Sequence, residues 1–292
     1  YSLPDGRLSW VAIQHGSAAD AGSINILDPT AGRNDCFIVP GRPGFAFPTT
    51  QAGVFVAGVE RSVGLFDTGT NTWTELCCGV DAGVENTIIN DGVLFEDNLI
   101  FGCKDLKFET QKAGLYLWRQ RDRVLIQLRD DQICSNGKAV VRQPNGTLAM
   151  IDIDYPSKRI TRSLLDLEAG TLGAPQTIVD LTAEQVFPDG MLVTPDSRSL
   201  IVALYDPGDP AAGAARQYSL DSGALEAIWT CPGSPRVTCP QLVKVESRVQ
   251  LVLTTAVEDM EAEQQQRHAN AGCLFIGATA FDAVSDQPVL TV

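Results

Sequence analysis

Short apolar runs, each introduced by a polar turn, recur along the whole chain. "GRLSWVAI", "AGVFVAGV", "DNLIFGCK", "NGTLAMID", "SRSLIVAL" and "SRVQLVLT" share this plan. Their comparable first apolar residues are Leu8, Val54, Leu99, Leu148, Leu200 and Val249, separated by 46, 45, 49, 52 and 49 residues. Downstream stretches such as "SVGLFDTGTNTWTEL", "AGLYLWRQRDRVLIQL" and "ARQYSLDSGALEAIWTC" alternate apolar and polar residues around Gly, Asn or Asp turns. Half-buried antiparallel hairpins read this way. Helical periodicity is scarce. "VEDMEAEQQQRHANAG" is the main helix-compatible stretch, and it falls where a loop between strands is expected. Four short strands per unit, repeated at this period, is the arithmetic of propeller blades. The pattern predicts an all-β chain folded as a six-bladed β-propeller of four-stranded antiparallel blades, one domain over residues 1–292. Two unrelated sandwiches would not need an even period.

In such a fold the first strand of each blade lines a central channel. Asn90, Asn136 and Asp189 lie 9, 12 and 11 residues before Leu99, Leu148 and Leu200, so they hold equivalent places in three consecutive units. Two carboxamides and one carboxylate are hard oxygen donors, suited to Ca²⁺, Mg²⁺ or Mn²⁺. Gly92, Gly137 and Gly190 follow them and allow close packing or a positive φ. Taken singly, each polar residue reads equally as a turn former bonding its own backbone. Their shared register favours a common site. Asp152 and Asp154 in "MIDIDYP" read as edge or turn ligands of the backbone, with Asp152 also a candidate to face the channel.

Composition narrows the chemistry. The chain has 292 residues, 44% hydrophobic and 20% charged, enough to bury a large core. Its formal charge of -14 disfavours nucleic acid and anionic membrane surfaces as partners. No apolar run reaches the roughly 18 residues of a membrane-spanning helix. Tyr1 is followed by a turn, so the first residues do not read as a secretory leader. Eight cysteines include no C-x-x-C pair, and adjacent Cys77 and Cys78 are poorly placed to share a tetrahedral metal. Most are expected to be buried strand thiols. The two histidines, His15 and His268, argue against a His-rich zinc site and a Ser-His-Asp triad. His268, in a polar loop, is expected to be exposed. There is no G-x-S-x-G elbow and no phosphate-cradling glycine loop. Asn145-Gly146-Thr147 fits a glycosylation sequon but reads as a hairpin turn. Trp73, Trp118 and Trp229 fall in later strands and are expected to pack between blades.

The set "INDG", "SNG" and "PDGM", in this order and at these distances, resembles the senescence marker protein / gluconolactonase / luciferin-regenerating enzyme family, the regucalcin-like propellers. "LSWVAI" is similar to the family's opening strand, "AGLYLW" follows the third-blade loop, and "TTAVEDMEAEQQQRHANAGCLF" resembles the last-blade loop. The resemblance implies a six-bladed propeller with one divalent ion in the channel and, for most characterised members, lactonase activity. It implies Asn136 and Asp189 as metal ligands; with an ion bound there, general acid–base chemistry makes Asp189 also the catalytic candidate to accept a proton from the attacking water. It implies Asn90 as a substrate contact that reaches the metal through water. The family's remaining ligand, a first-blade Glu, falls ahead of Tyr1. An Arg that binds sugar lactone in some members is replaced by Ile88, and an acidic loop residue by Lys107. Lys104 and Lys107 are therefore candidate substrate-binding residues for a carboxylate or phosphate, with solvated loop lysines as the alternative.

The expected function is a divalent-metal-dependent hydrolase of a lactone or related cyclic ester other than gluconolactone. Ca²⁺ is the first choice of ion, with Zn²⁺, Mg²⁺ and Mn²⁺ as alternatives. A phosphotriester is a second hydrolytic option. A propeller that binds a small ligand or a cation without turnover is the alternative of another class. The expected setting is cytoplasmic, with a small-molecule substrate and a monomer or weak homo-oligomer.

Overall fold

The computed structural model describes residues 1–16, 18–245, 248–285 and 287–292. Its strands form six separate antiparallel sheets, and the chain is a six-bladed β-propeller. The sheets are distributed over two compact units. The first comprises Tyr1–Ser135, Asp166–Thr171 and Gln287–Val292, and the second Asn136–Leu165 and Leu172–Asp286. In the first unit, one sheet holds β1 (Leu8–Ala12), β2 (Ser23–Asp28) and β3 (Arg33–Ile38). The next holds β4 (Pro43–Pro48), β5 (Val54–Val59), β6 (Ser62–Asp67) and β7 (Thr72–Cys77). The third holds β8 (Thr87–Phe95), β9 (Asn98–Asp105), β10 (Ala113–Arg119) and β11 (Val124–Gln132).

The second unit carries the other three sheets. Its first is β12 (Ser135–Arg142), β13 (Leu148–Asp154) and β14 (Arg159–Asp166), edged by β15 (Thr171–Leu172) and β16 (Gln176–Asp180). Then come β17 (Phe187–Val193), β18 (Ser199–Tyr205), β19 (Ala212–Ser219) and β20 (Leu225–Pro232). The last is β21 (Val237–Val245), β22 (Arg248–Thr255) and β23 (Phe275–Ala278). Among the described residues the first and last sheets thus have three strands where four were expected. The outer strand beside β14 is split where Gly173–Pro175 intervenes, and Pro175 has no amide hydrogen to continue a ladder. Among the described residues, helix is confined to a 3-10 turn at Tyr155–Ser157 and to α1 (Ala262–Arg267), which lies inside the main helix-compatible stretch. No helix among the described residues is long and apolar enough to cross a membrane.

The repeat marks Leu8, Val54, Leu99, Leu148, Leu200 and Val249 all fall at or one residue inside the start of a strand. Five of these strands are second in their sheets, and β1 shares their register rather than that of an opening strand. Second strands are buried on both faces. In β18, Leu200, Val202 and Leu204 pack with Ile151, Ile153 and Ile160, whereas Ile201 and Ala203 pack with Leu242, Leu251 and Leu253. In β5, Val56 joins Leu99 and Phe101, while Phe55 and Ala57 join Ile24 and Ile26. That two-sided burial explains why these segments read as continuous apolar runs without alternation. Each such Ile, Leu or Val contributes about 1.5–3 kcal/mol by leaving water. Trp118 lies inside one of these cores, and Trp73 and Trp229 pack against others.

Two expectations about side chains fail. No disulfide joins cysteines among the described residues, and Cys36, Cys78, Cys239 and Cys273 are exposed, Cys77 is half-buried, and only Cys103, Cys134 and Cys231 are buried. Cys36 sits on the outer strand β3, and Cys78 and Cys273 lie outside strands, where solvent reaches them. His268 is buried, because it closes the C-terminus of α1 and its Nε2 bonds Asp209 from the loop after β18. Asn145–Thr147 is the tight turn between β12 and β13, with Gly146 at φ 86° and the Thr147 amide donating to Asn145 Oδ1 at 3.1 Å.

First strands meet one another more closely than ordinary side chains allow. A Cβ placed on Gly44 would lie 2.6 Å from the Ile89 carbonyl oxygen, on Gly137 2.6 Å from that of Asp189, and on Gly190 2.6 Å from that of Thr238. Gly92, Gly137 and Gly190 all have ordinary φ, so close approach, and no special backbone conformation, is what requires glycine there. Gly137→Ala is expected to push β12 and β17 apart at a cost of about 1–3 kcal/mol. Urea denaturation of the variant measures that loss; unchanged stability would contradict this packing.

Candidate metal and substrate site

The close contact of first strands coincides with a slip in strand register. Between β4 and β5 the slip falls at Gly44, between β8 and β9 at Asn90, between β17 and β18 at Asp189–Gly190, and between β21 and β22 at Thr238. Such bulges bend a strand and re-aim a side chain. Asn90 and Asp189 therefore owe their orientation to an extra residue in an edge strand, the same device in both units.

In the second unit, Asn136 on β12 and Asp189 on β17 stand on neighbouring strands that touch at Gly137. Asn136 is 6% exposed and Asp189 half-buried. Gly137, the next residue after Asn136, lies against the Asp189 main chain with no room for a methyl group. Two hard-oxygen side chains from touching strands suit a hard cation, and the glycine cradle is what lets them approach. The residues present thus fit part of a divalent-ion site. Among the described residues no cluster of three His, Cys, Asp or Glu side chains is arranged to hold a metal, so mixed carboxamide and carboxylate donors are the candidates.

A third polar residue stands beside them. Lys138, two positions after Asn136 and on the same face of β12, has a fully buried side chain. Its Nζ donates to the Asn136 carbonyl oxygen at 2.5 Å and lies 3.7 Å from Asp152 Oδ1 on β13. Asp152 therefore faces a buried ammonium, where a backbone partner had been expected. Aromatic rings wall the same end of β17. Phe187, two residues before Asp189, stacks on Tyr155 at 4.5 Å, and Tyr155 meets Tyr205 edge-on at 6.0 Å. Lys158 Nζ sits 4.2 Å above the Phe187 ring and donates to the Glu184 carbonyl. Burial holds the Tyr205 phenol well above its ordinary range; Arg236 opposes this, and Glu258, Asp259 and Asp189 reinforce it. Tyr205 is thus a neutral donor at any ordinary pH. None of Lys138, Tyr155, Phe187, Tyr205 or Arg236 was singled out from the sequence. The one signal for Lys138 was its charge just before the apolar Ala139, Val140 and Val141 of the same strand.

In the first unit, Asn90 is buried and its Nδ2 donates to the Ser135 carbonyl at 2.8 Å. Lys104 is a buried strand residue on β9, paired with Ile88 in register, with Nζ 5.5 Å from the Phe108 ring. It is not a loop lysine. Lys107 is exposed in the turn beyond, and the two do not share an environment. Asp105 organises that turn: its carboxylate accepts amide bonds from Lys107 at 3.2 Å, Glu109 at 3.1 Å and Thr110 at 3.0 Å, and pairs with Lys112 at 3.1 Å. Burial alone would raise its pKa, but these partners overcome it and hold the group at about 2. A depressed carboxylate stabilises the fold above its unfolded pKa and loses that contribution as pH falls through the folded value. Asp105→Asn should therefore cost about 2 kcal/mol near neutrality. The gap to wild type should close as pH approaches about 2, which denaturation curves across pH would read.

Comparison with known proteins agrees with this architecture. The family model described as "SMP-30/Gluconolactonase/LRE-like region" matches residues 1–257. The chain belongs to that family. Among solved structures, regucalcin from Agrobacterium tumefaciens, described as a calcium-binding protein, is 18% identical with a TM-score of 0.77, covering 92% of this chain and 89% of its own. A luciferin-regenerating enzyme is 16% identical with a TM-score of 0.78, covering 92% of this chain and 88% of its own. At these identities the likeness carries the fold. No curated protein matches the sequence.

Proposed function

We propose that this member of the SMP-30/gluconolactonase/LRE-like family is a divalent-cation-dependent lactonase. The observation that carries the reading is the contact of β12 with β17 at Gly137 and Asp189, which sets Asn136 and Asp189 on touching first strands; the family resemblance implies these two residues as ligands. The similar regucalcin's description as calcium-binding makes Ca²⁺ the first ion to test. When bound, the ion would supply Lewis-acid polarisation of the ester carbonyl. Asn136 Oδ1 and the Asp189 carboxylate would hold it. A carboxylate beside a cation is a weak base, so the ligand role of Asp189 outweighs proton transfer. Phe187, Tyr155 and Tyr205 present an apolar wall that shields one side of the site from water, and the Tyr205 phenol keeps its proton. The experiment is a panel of uncharged and charged lactones assayed on chelator-stripped protein, before and after adding back Ca²⁺, Mn²⁺, Mg²⁺ or Zn²⁺. Turnover restored by one ion supports the reading. Turnover that survives full metal removal contradicts it, and cation binding without turnover of any lactone points to a non-catalytic binder.

A further inference from the structure

Arg236 immediately precedes β21 and is 3% exposed. A buried guanidinium needs acceptors for its five N–H groups. Among the described residues only one is supplied: Nη2 donates to the Asp259 carbonyl at 3.2 Å. Nε and Nη1 are sealed from solvent and have no partner. No ion pair joins Arg236 to a carboxylate among the described residues, although Glu258 and Asp259 lie close by. The plane stands 5.6 Å from the Tyr205 ring, which forms the remaining contact. Such a group is costly unless an acceptor arrives.

The repeat geometry says where that acceptor would sit. Arg236 is two residues before the bulge at Thr238, and Thr238 lies against Gly190, next to Asp189. At strand rise the step from Thr238 to Arg236 is about 7 Å, within reach of an arginine side chain. Phe187 holds the same place, two residues before the bulge of β17, and bridges to Tyr205, which in turn bridges to Arg236. The cation therefore belongs to the aromatic wall beside Asp189. The turn at residues 257–260 lies against it, with Asp259 in the left-handed region at φ 55° and the Glu258 carbonyl accepting one long bond of 3.4 Å from the Tyr205 hydroxyl.

We infer that Arg236 anchors a carboxylate borne by the ligand of this site, entering beneath the 257–260 turn. The cyclic-ester identity of the rest of that ligand rests on the function proposed above; the anion contact does not. Arg presents a planar fork matched to a carboxylate, and a charge-assisted pair inside a dry wall is among the stronger polar contacts.

The test is binding, measured by calorimetry on chelator-stripped protein, so that absence of hydrolysis leaves it readable. The probes are γ-butyrolactone-γ-carboxylate and its uncharged methyl ester. Wild type should prefer the acid by about tenfold or more. Arg236→Gln should abolish the preference, and Arg236→Lys should restore part of it. Each variant's thermal midpoint is recorded, and the wild-type comparison decides the matter even if a variant fails to fold. Equal affinity for acid and ester, no binding of either, or a preference that persists in Arg236→Gln overturns the inference. Stronger competition by inorganic phosphate than by acetate would overturn the choice of carboxylate and assign the subsite to phosphate.

Discussion

Asp189→Ala is expected to lower lactone turnover at least about a hundredfold and to weaken divalent-ion binding in parallel. A Lewis acid contributes several kcal/mol of transition-state stabilisation, and about 2.7 kcal/mol already corresponds to that factor. Asp189 is the one charged oxygen donor of the pair, so its loss removes most of the attraction for the ion, whereas Asn136→Ala removes a neutral ligand and should cost less. The position itself tolerates the truncation. Asp189 is half-buried at a bulge, and the close approach of Gly137 is to its main chain. Kinetics and calorimetry on the same preparation separate the outcomes. Loss of both signals with an unchanged thermal midpoint is the expected result; a variant that keeps both would remove Asp189 from the mechanism.

Lys138→Met is the second large effect, and it falls on stability. The Lys138 side chain is fully buried and Asp152 nearly so, and breaking such a pair from one side leaves a charge in a poor environment, at a cost of about 3 kcal/mol. Adding Asp152→Leu removes both charges and should recover much of the loss, since a well-packed apolar pair is often as stable as the ion pair it replaces. Lys138 also donates to the main chain of a candidate ligand, so its fixed positive charge opposes a cation held at Asn136. The single variant should therefore bind divalent ions more tightly while being less stable. Urea denaturation and calorimetry read the two effects independently. Unchanged ion affinity would place the ammonium outside the electrostatic reach of the site.

How much of this was legible in the sequence follows from what each feature depends on. The even spacing from Leu8 to Val249 reports second strands buried on both faces, a property written directly in residue type, and it gave the six sheets. Asn136 and Asp189 were visible because a polar residue before glycine recurs in register. The reason for glycine was not visible. It is contact between first strands, which a linear pattern does not encode. Lys138 was missed because a lysine inside a strand signals an outward face unless its partner, Asp152 on the neighbouring strand, is known. His268 reversed expectation because its burial is decided by Asp209, remote in sequence, and the solvated-loop alternative for Lys104 fails because it pairs with Ile88 inside the β8–β9 hairpin. Arg236 carried no signal in the sequence, because only the bulge two positions later gives it a register.

The account depends on a cation gripped jointly by two oxygen-bearing side chains of neighbouring blades. The most direct measurement is the anomalous scattering of Mn²⁺ soaked into crystals of the chelator-stripped protein. The prediction is one strong peak within direct bonding distance of both Asn136 Oδ1 and the Asp189 carboxylate. A peak elsewhere, or none when the soak is saturating, would contradict it.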